Sequence, residues 1–248
     1  MIRFGEAFRY VHRRTLAFAA AFPLVAAIPF AAELAQHWVE MTIGMYDGVA
    51  GMQAAEADSG RLYIGFAKTI ALGIPGYWLV RWLHTDGDRT FAARLEKRAL
   101  MLFGLVVALQ ILFNFLALFV WTSGPISIGF MVFGVLFLPL ISRFVTAAPL
   151  GKLITPRASM RVMAKDYPFA LAFSLLAPLP LLALHYGLAA AAIYAPGDAL
   201  KWAILVVDCG VTAWLALVII AAAYTIATRL EPLWTSDPPT ASMPEPRG

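Results

Sequence analysis

Long apolar runs separated by short charged connections dominate the chain. A bilayer core needs about 20 mostly apolar helical residues per crossing. Six stretches meet that requirement: 15–34, 62–82, 99–121, 126–142, 168–190 and 202–227. The run 126–142 is the shortest, and "TSGPISIG" joins it to 99–121; Gly, Pro and Ser in that connector predict a tight helical hairpin. Ahead of the first run, Phe4, Phe8 and Val11 recur at helical spacing among Arg3, Arg9, Arg13 and Arg14. That pattern predicts an amphipathic helix lying on a membrane surface. A cleaved signal peptide is the rival reading of "RRTLAFAAAFPLVAAIPFAA", but the basic segment before it is long for one. A second basic interfacial segment is expected around "TPRASMRVMAKDYPF", with Met160, Val162, Met163 and Phe169 toward lipid. The expected fold is all-α: a polytopic integral membrane helical bundle of about six transmembrane helices with an N-terminal amphipathic interfacial helix. Residues 1–230 would form the transmembrane domain, and 231–248, with five prolines, a disordered cytoplasmic tail.

Composition agrees with this pattern. The chain is 61% hydrophobic and 14% charged, whereas a soluble domain carries about 25% charged residues. The mean hydropathy is +0.75. Lys and Arg then give a direction. Four lie before the first run, five between residues 81 and 98, five between 143 and 165, and two in the C-terminal segment, so sixteen of the nineteen share one side. The exceptions are Arg61, Lys68 and Lys201, while Glu33, Glu40, Asp47, Glu56 and Asp58 crowd the first connection. The positive-inside rule places both termini in the cytoplasm, as in a multi-pass protein of the bacterial inner membrane. The net charge of +4 follows from that loop bias and gives no reason to expect a nucleic-acid partner. The lone Cys209 excludes an intrachain disulfide and a CxxC metal motif.

The amphipathic "FGEAFRYVHRR" start, the acidic first outer connection, and "PRASMRVMAKDYPFALAFSL" leading into the fifth run together resemble the six-span YciC-type bacterial inner-membrane proteins. The resemblance implies a six-span topology and carries over no activity and no functional residues.

Two sets of polar residues are candidates for chemistry. The first is an outer stripe. At 100° per residue Glu33, Gln36, His37, Glu40, Gly44 and Asp47 fall on one side of a helix expected to run to about residue 46, with Leu34, Trp38, Met41 and Met45 beside it. Glu33, His37 and Glu40 have the ligand types for zinc, manganese or iron, but no HExxH or second Glu-x-x-His accompanies them. The expected role is a solvated stripe on the outer surface, lining a polar groove or contacting another span, rather than a metal site or a partner-recognition surface, with Trp38 in the headgroup region. Haem ligation by paired histidines (His37 with His185, His12 with His84) is set against by the position of His12 and His84 among arginines. No cofactor is expected.

The second set is deeper. Lys68 interrupts the second run, Asp208 the sixth and Asn114 the third. Each lies seven residues inside a flanking Arg61, Lys201 or Trp121, which is roughly 10 Å at about 1.5 Å per residue. Charges in hydrocarbon are costly unless paired or hydrated. Lys68 and Asp208 are therefore expected to pair between helices with Asn114 nearby, Lys68 snorkelling outward being the alternative. No GxSxG, Walker loop or zincin motif is present, so no enzymatic activity is expected. The expected function is non-enzymatic, in membrane organisation or envelope homeostasis, with lipid and a second copy or another membrane protein as partners. The alternative is a small ion- or proton-linked transporter using the Lys68–Asp208 level, with Gly73, Pro75, Gly76, Pro178 and Pro180 as helix breakers.

Overall fold

The computed structural model describes residues 3–233, and among these all regular structure is helical. In chain order the α-helices are α1 (Phe4–Ala21), α2 (Pro23–Thr42), α3 (Gly48–Ala55), α4 (Ser59–Gly73), α5 (Gly76–His84), α6 (Arg89–Ala93), α7 (Lys97–Phe115), α8 (Gly124–Phe137), α9 (Ser142–Ala147), α10 (Pro156–Met163), α11 (Tyr167–Leu176), α12 (Leu179–Tyr194) and α13 (Asp198–Thr228). Four helical stretches are long and apolar enough to cross a membrane: Lys97–Val120, Gly124–Leu150, Pro156–Tyr194 and Asp198–Thr228. The bent pair α1 and α2 passes the same test only when its two helices are taken together, which brings the number to at most five.

Prolines set the breaks. Pro23 has no amide hydrogen to continue the ladder of α1, and the chain turns there by 102°. The first apolar run is thus not one straight span: α1 extends to Ala21 and α2 starts afresh. With α2 along a membrane normal, α1 lies nearly in the membrane plane. Its apolar face does not meet lipid as expected, however. Ala7, Val11, Thr15 and Phe18 are fully buried, Phe4 packs edge-on against Phe169 and Phe173, and Trp214 Nε1 donates to Thr15 Oγ1 at 3.1 Å. For the same reason Met163 and Phe169, expected toward lipid, belong to the core or pack on it. The second run is likewise divided at Ile74–Pro75 into α4, of 15 residues, and α5, of 9. The third and fourth runs form the expected hairpin, with Phe113 stacked on Phe130 at 4.0 Å.

At the centre stands α13. It packs against α12, α2 and α1 and also touches α4, α5, α9 and α11. Apart from a few polar residues, Asp208 among them, apolar side chains surround it on all sides, as suits a helix packed among other helices. The basic connections gather at one end: Arg81 donates to Phe91 O, Pro149 O and Glu96, Arg14 pairs with Asp86, and Arg143 donates to Ala227 O, Glu231 O and Pro232 O. The first residues of the expected tail, Glu231–Leu233, are thereby held against the bundle, and Leu233 is buried. The rest of that tail, 234–248, lies outside the described residues. At the opposite end Lys201 pairs with Asp47 at 2.6 Å and Arg61 with Glu40 at 3.1 Å. Trp38 is exposed there, its ring 5.9 Å from that of Trp202.

Candidate functional site

The face of α2 read as a solvated stripe is instead turned inward against α4 and α13. Glu33, His37 and Glu40 retain 1%, 2% and 2% of their exposure. The i, i+3, i+4, i+7 spacing of Glu33, Gln36, His37 and Glu40 puts all four on one side of the helix. Across from them α4 presents Arg61 and Lys68, seven residues apart and so on one face, and α13 presents Asp208, which is fully buried.

His37 is the hub. Its Nδ1 lies 3.1 Å from Glu40 Oε2, and its Nε2 lies 3.1 Å from Asp208 Oδ2 and 3.4 Å from Glu33 Oε1. Glu40 also accepts from Gln36 Nε2 at 2.7 Å, Tyr46 Oη at 2.7 Å and Arg61 Nε at 3.1 Å. Asp208 takes His185 Nδ1 at 2.8 and 2.9 Å on its two oxygens, and the Thr212 hydroxyl lies 3.1 Å from the same nitrogen. That Nδ1 carries its hydrogen, because it faces two carboxylate oxygens.

Tyr46 reaches the cluster because α2 ends sooner than the sequence rhythm implied. The helix stops at Thr42, and Gly44, at φ +72°, takes the left-handed conformation that glycine adopts without steric cost. Met45 N then donates back to Glu40 O at 2.9 Å, which reverses the chain and returns the Tyr46 ring beneath His37. A Cβ on Gly51 would stand 2.2 Å from Gly44 O, so a second glycine is required for the turn to close. Burial, then the charge of Glu40, pushes the Tyr46 phenol upward, and it remains a hydrogen-bond donor.

The deep residues are distributed differently from the expected Lys68–Asp208 pair. Lys68 pairs with Glu33, its Nζ 3.2 Å from Oε1 and 3.0 Å from Oε2. The closer contact lacks hydrogen-bond geometry, so Glu33 Oε2 is buried with a charge beside it but no hydrogen bond. Asp208 is taken up by the two histidines. Asn114 stands apart from the cluster: its Nδ2 donates to Thr69 Oγ1 at 3.1 Å, tying α7 to α4. His12 bonds Ala177 O and packs on Trp214, while His84 lies 3.4 Å from Tyr224 Oη. His37 and His185 both contact the one Asp208 carboxylate, which leaves no gap for a porphyrin between them.

Sequence reasoning missed His185 and Tyr46 as members of the site. His185 sits in "LLALHYGLAAAA", and an imidazole in such an apolar run is itself a signal. Tyr46 gave none, because its place depends on the turn at Gly44.

The charges of the cluster do not balance by themselves. Glu33, Glu40 and Asp208 bring three negative charges, and Lys68 and Arg61 two positive ones. At His37 Nε2 two carboxylate oxygens face one ring nitrogen, so that nitrogen presents them either a hydrogen or a bound cation. The ligand atoms of Glu33, His37 and Asp208 all lie within 4.8 Å of one another, close enough to share one ion.

Comparison of the chain with protein-family models, with curated proteins and with solved structures gave no match.

Proposed function

We propose that this integral membrane protein is a small ion-linked transporter, and that the Glu33–His37–Asp208 cluster is its cation site. One observation carries the reading. Three carboxylates and two histidines converge between largely apolar helices, and the ligand atoms of Glu33, His37 and Asp208 lie within 4.8 Å of one another. Buried ion clusters contribute little to stability relative to apolar packing, and ionisable groups among membrane helices mark ion pathways. Arg61, Lys68 and His185 are only partly buried, and in this reading they are the side on which an ion enters. The proline breaks at Ile74–Pro75 and at Pro178 flank this region, as interrupted helices do at transporter sites.

In this reading the chain crosses a bacterial inner membrane six times, α4 with α5 supplying the crossing additional to α2 and the four long stretches. Both termini are cytoplasmic, the protein moves an ion without transforming a substrate, and its immediate partner is lipid. A role in membrane organisation or envelope homeostasis stands second, because it gives no reason to bury three carboxylates in the bundle. The test is flux in proteoliposomes holding the purified protein, with ion-sensitive dyes inside and an imposed potential. The reading expects cation movement above that of protein-free vesicles, lost in Asp208→Asn. Flux equal to empty vesicles for protons, alkali ions and divalent ions alike contradicts it.

A further inference from the structure

We infer that Glu33, His37 and Asp208 form a site for one divalent transition-metal ion of the zinc class, with Lys68 as its built-in competitor. This rests on the cation reading above and names its ion.

The ligand set selects the class. Calcium and magnesium take oxygen ligands, whereas an imidazole with two carboxylates suits zinc and its first-row neighbours. The spacing agrees. Ligands about 2.0–2.1 Å from a tetrahedral zinc stand roughly 3.3 Å apart; His37 Nε2 is 3.1 Å from Asp208 Oδ2 and 3.4 Å from Glu33 Oε1. Three protein ligands leave one tetrahedral position open, as an ion that must enter and leave requires.

The surroundings of the ligands are those of a metal centre. A metal-bound histidine is held by a hydrogen bond from its other nitrogen to a carboxylate, and ligating carboxylates are themselves hydrogen-bonded. Here His37 Nδ1 faces Glu40, which is fixed in turn by Gln36, Tyr46 and Arg61, and Asp208 is fixed by His185. Nε2 is thereby left as the ligand atom. Glu33 Oε2, on a residue 1% exposed, has no hydrogen bond and only the Lys68 ammonium, 3.0 Å away, beside it. The Lys68 ammonium beside it occupies charge space that a metal would claim. Lys68 is 15% exposed at the side chain, and its long stem lets it withdraw toward the rim when the metal enters. Binding exchanges ions without covalent chemistry: the metal takes Nε2, any hydrogen there leaves to solvent, and Lys68 retreats from Glu33.

The experiment titrates zinc or cobalt(II) alone, and separately magnesium, calcium and manganese, into chelator-stripped full-length protein in detergent. The expected result is one zinc or cobalt per chain, the intense visible bands of four-coordinate cobalt(II), and a rise in the melting temperature of the unmutated protein. His37→Ala and His37→Gln should each weaken zinc at least a hundredfold, and His185→Ala should weaken it about 10- to 100-fold through Asp208. Lys68→Met should tighten zinc by on the order of tenfold or more, since it removes a like charge at contact range. A merely structural lysine would not do that. Failure to bind zinc and cobalt, or binding unchanged in both His37 variants, overturns the inference. Binding of magnesium or calcium alone also overturns it while leaving the flux test of the transporter reading standing. If vesicle flux is absent but zinc binds through His37, the site stands and the transport reading falls.

Discussion

Replacing Lys68 by Met and Glu33 by Gln, singly and together, tests how the charges in the bundle are paired. Lys68 Nζ lies 3.0 Å from Glu33 Oε2, which at an effective dielectric constant of about 20 corresponds to an attraction of roughly 5 kcal/mol before desolvation is subtracted. Removing one member of a buried pair costs about 3–5 kcal/mol. The two single changes should differ. Lys68→Met strands a carboxylate that is 1% exposed and belongs near the lower end, about 3 kcal/mol. Glu33→Gln leaves an ammonium that can extend to the rim and should cost less, about 1–2 kcal/mol. The double variant should recover about 2 kcal/mol of the sum. The assay is unfolding in mixed micelles of increasing denaturing-detergent fraction, followed by circular dichroism. A parallel cycle on Lys68 and Asp208, which have different partners, should give a smaller coupling. Additivity within about 0.5 kcal/mol for Glu33 and Lys68, or a larger coupling for Lys68 with Asp208, refutes the pairing described.

Other regions make separate predictions. Gly51→Ala puts a Cβ 2.2 Å from Gly44 O and should cost about 1–3 kcal/mol in the same assay; an unchanged midpoint would mean the Gly44 turn is not as described. Arg81→Met removes a fully buried guanidinium that serves Phe91 O, Pro149 O and Glu96. It should destabilise by about 3 kcal/mol or more, and a loss below about 1 kcal/mol would show the basic end to be loosely held. Asn114→Leu loses one interhelical hydrogen bond, to Thr69, worth about 0.6 kcal/mol, and should leave zinc affinity unchanged; a tenfold loss of zinc binding would place Asn114 in the site. Reporter fusions after residues 55, 90, 124, 155 and 196 should alternate between outside and inside, starting outside, and two neighbours reporting the same side would overturn six crossings.

The helical class was legible because helices that cross a membrane must be apolar over most of their length, a pattern that α7, α8, α12 and α13 carry. The polar residues of the site were legible too, as a list. Their arrangement was not. Counting residues from the interface gives a depth along the membrane normal and no direction around the helix, so it matches Lys68 with Asp208, whereas Lys68 pairs with Glu33 and Asp208 with His37 and His185. The stripe on α2 contacts other helices, as one form of the expectation had it, but it is buried and not solvated. In water an amphipathic helix turns its polar face outward; in lipid the apolar face with Trp38 looks out and the polar face looks in. The turn at Gly44 and the 102° bend at Phe22–Pro23 are decided by backbone conformations that hydrophobic periodicity does not encode.

The most direct test of a cation at Glu33, His37 and Asp208 is X-ray absorption at the zinc edge of the zinc-loaded protein. The account predicts a first shell of nitrogen and oxygen only, about 2.0 Å from the metal, with the outer-shell signature of a single imidazole that disappears in His37→Gln. A sulfur ligand, an imidazole signature surviving in His37→Gln, or a spectrum of fully hydrated zinc would contradict it.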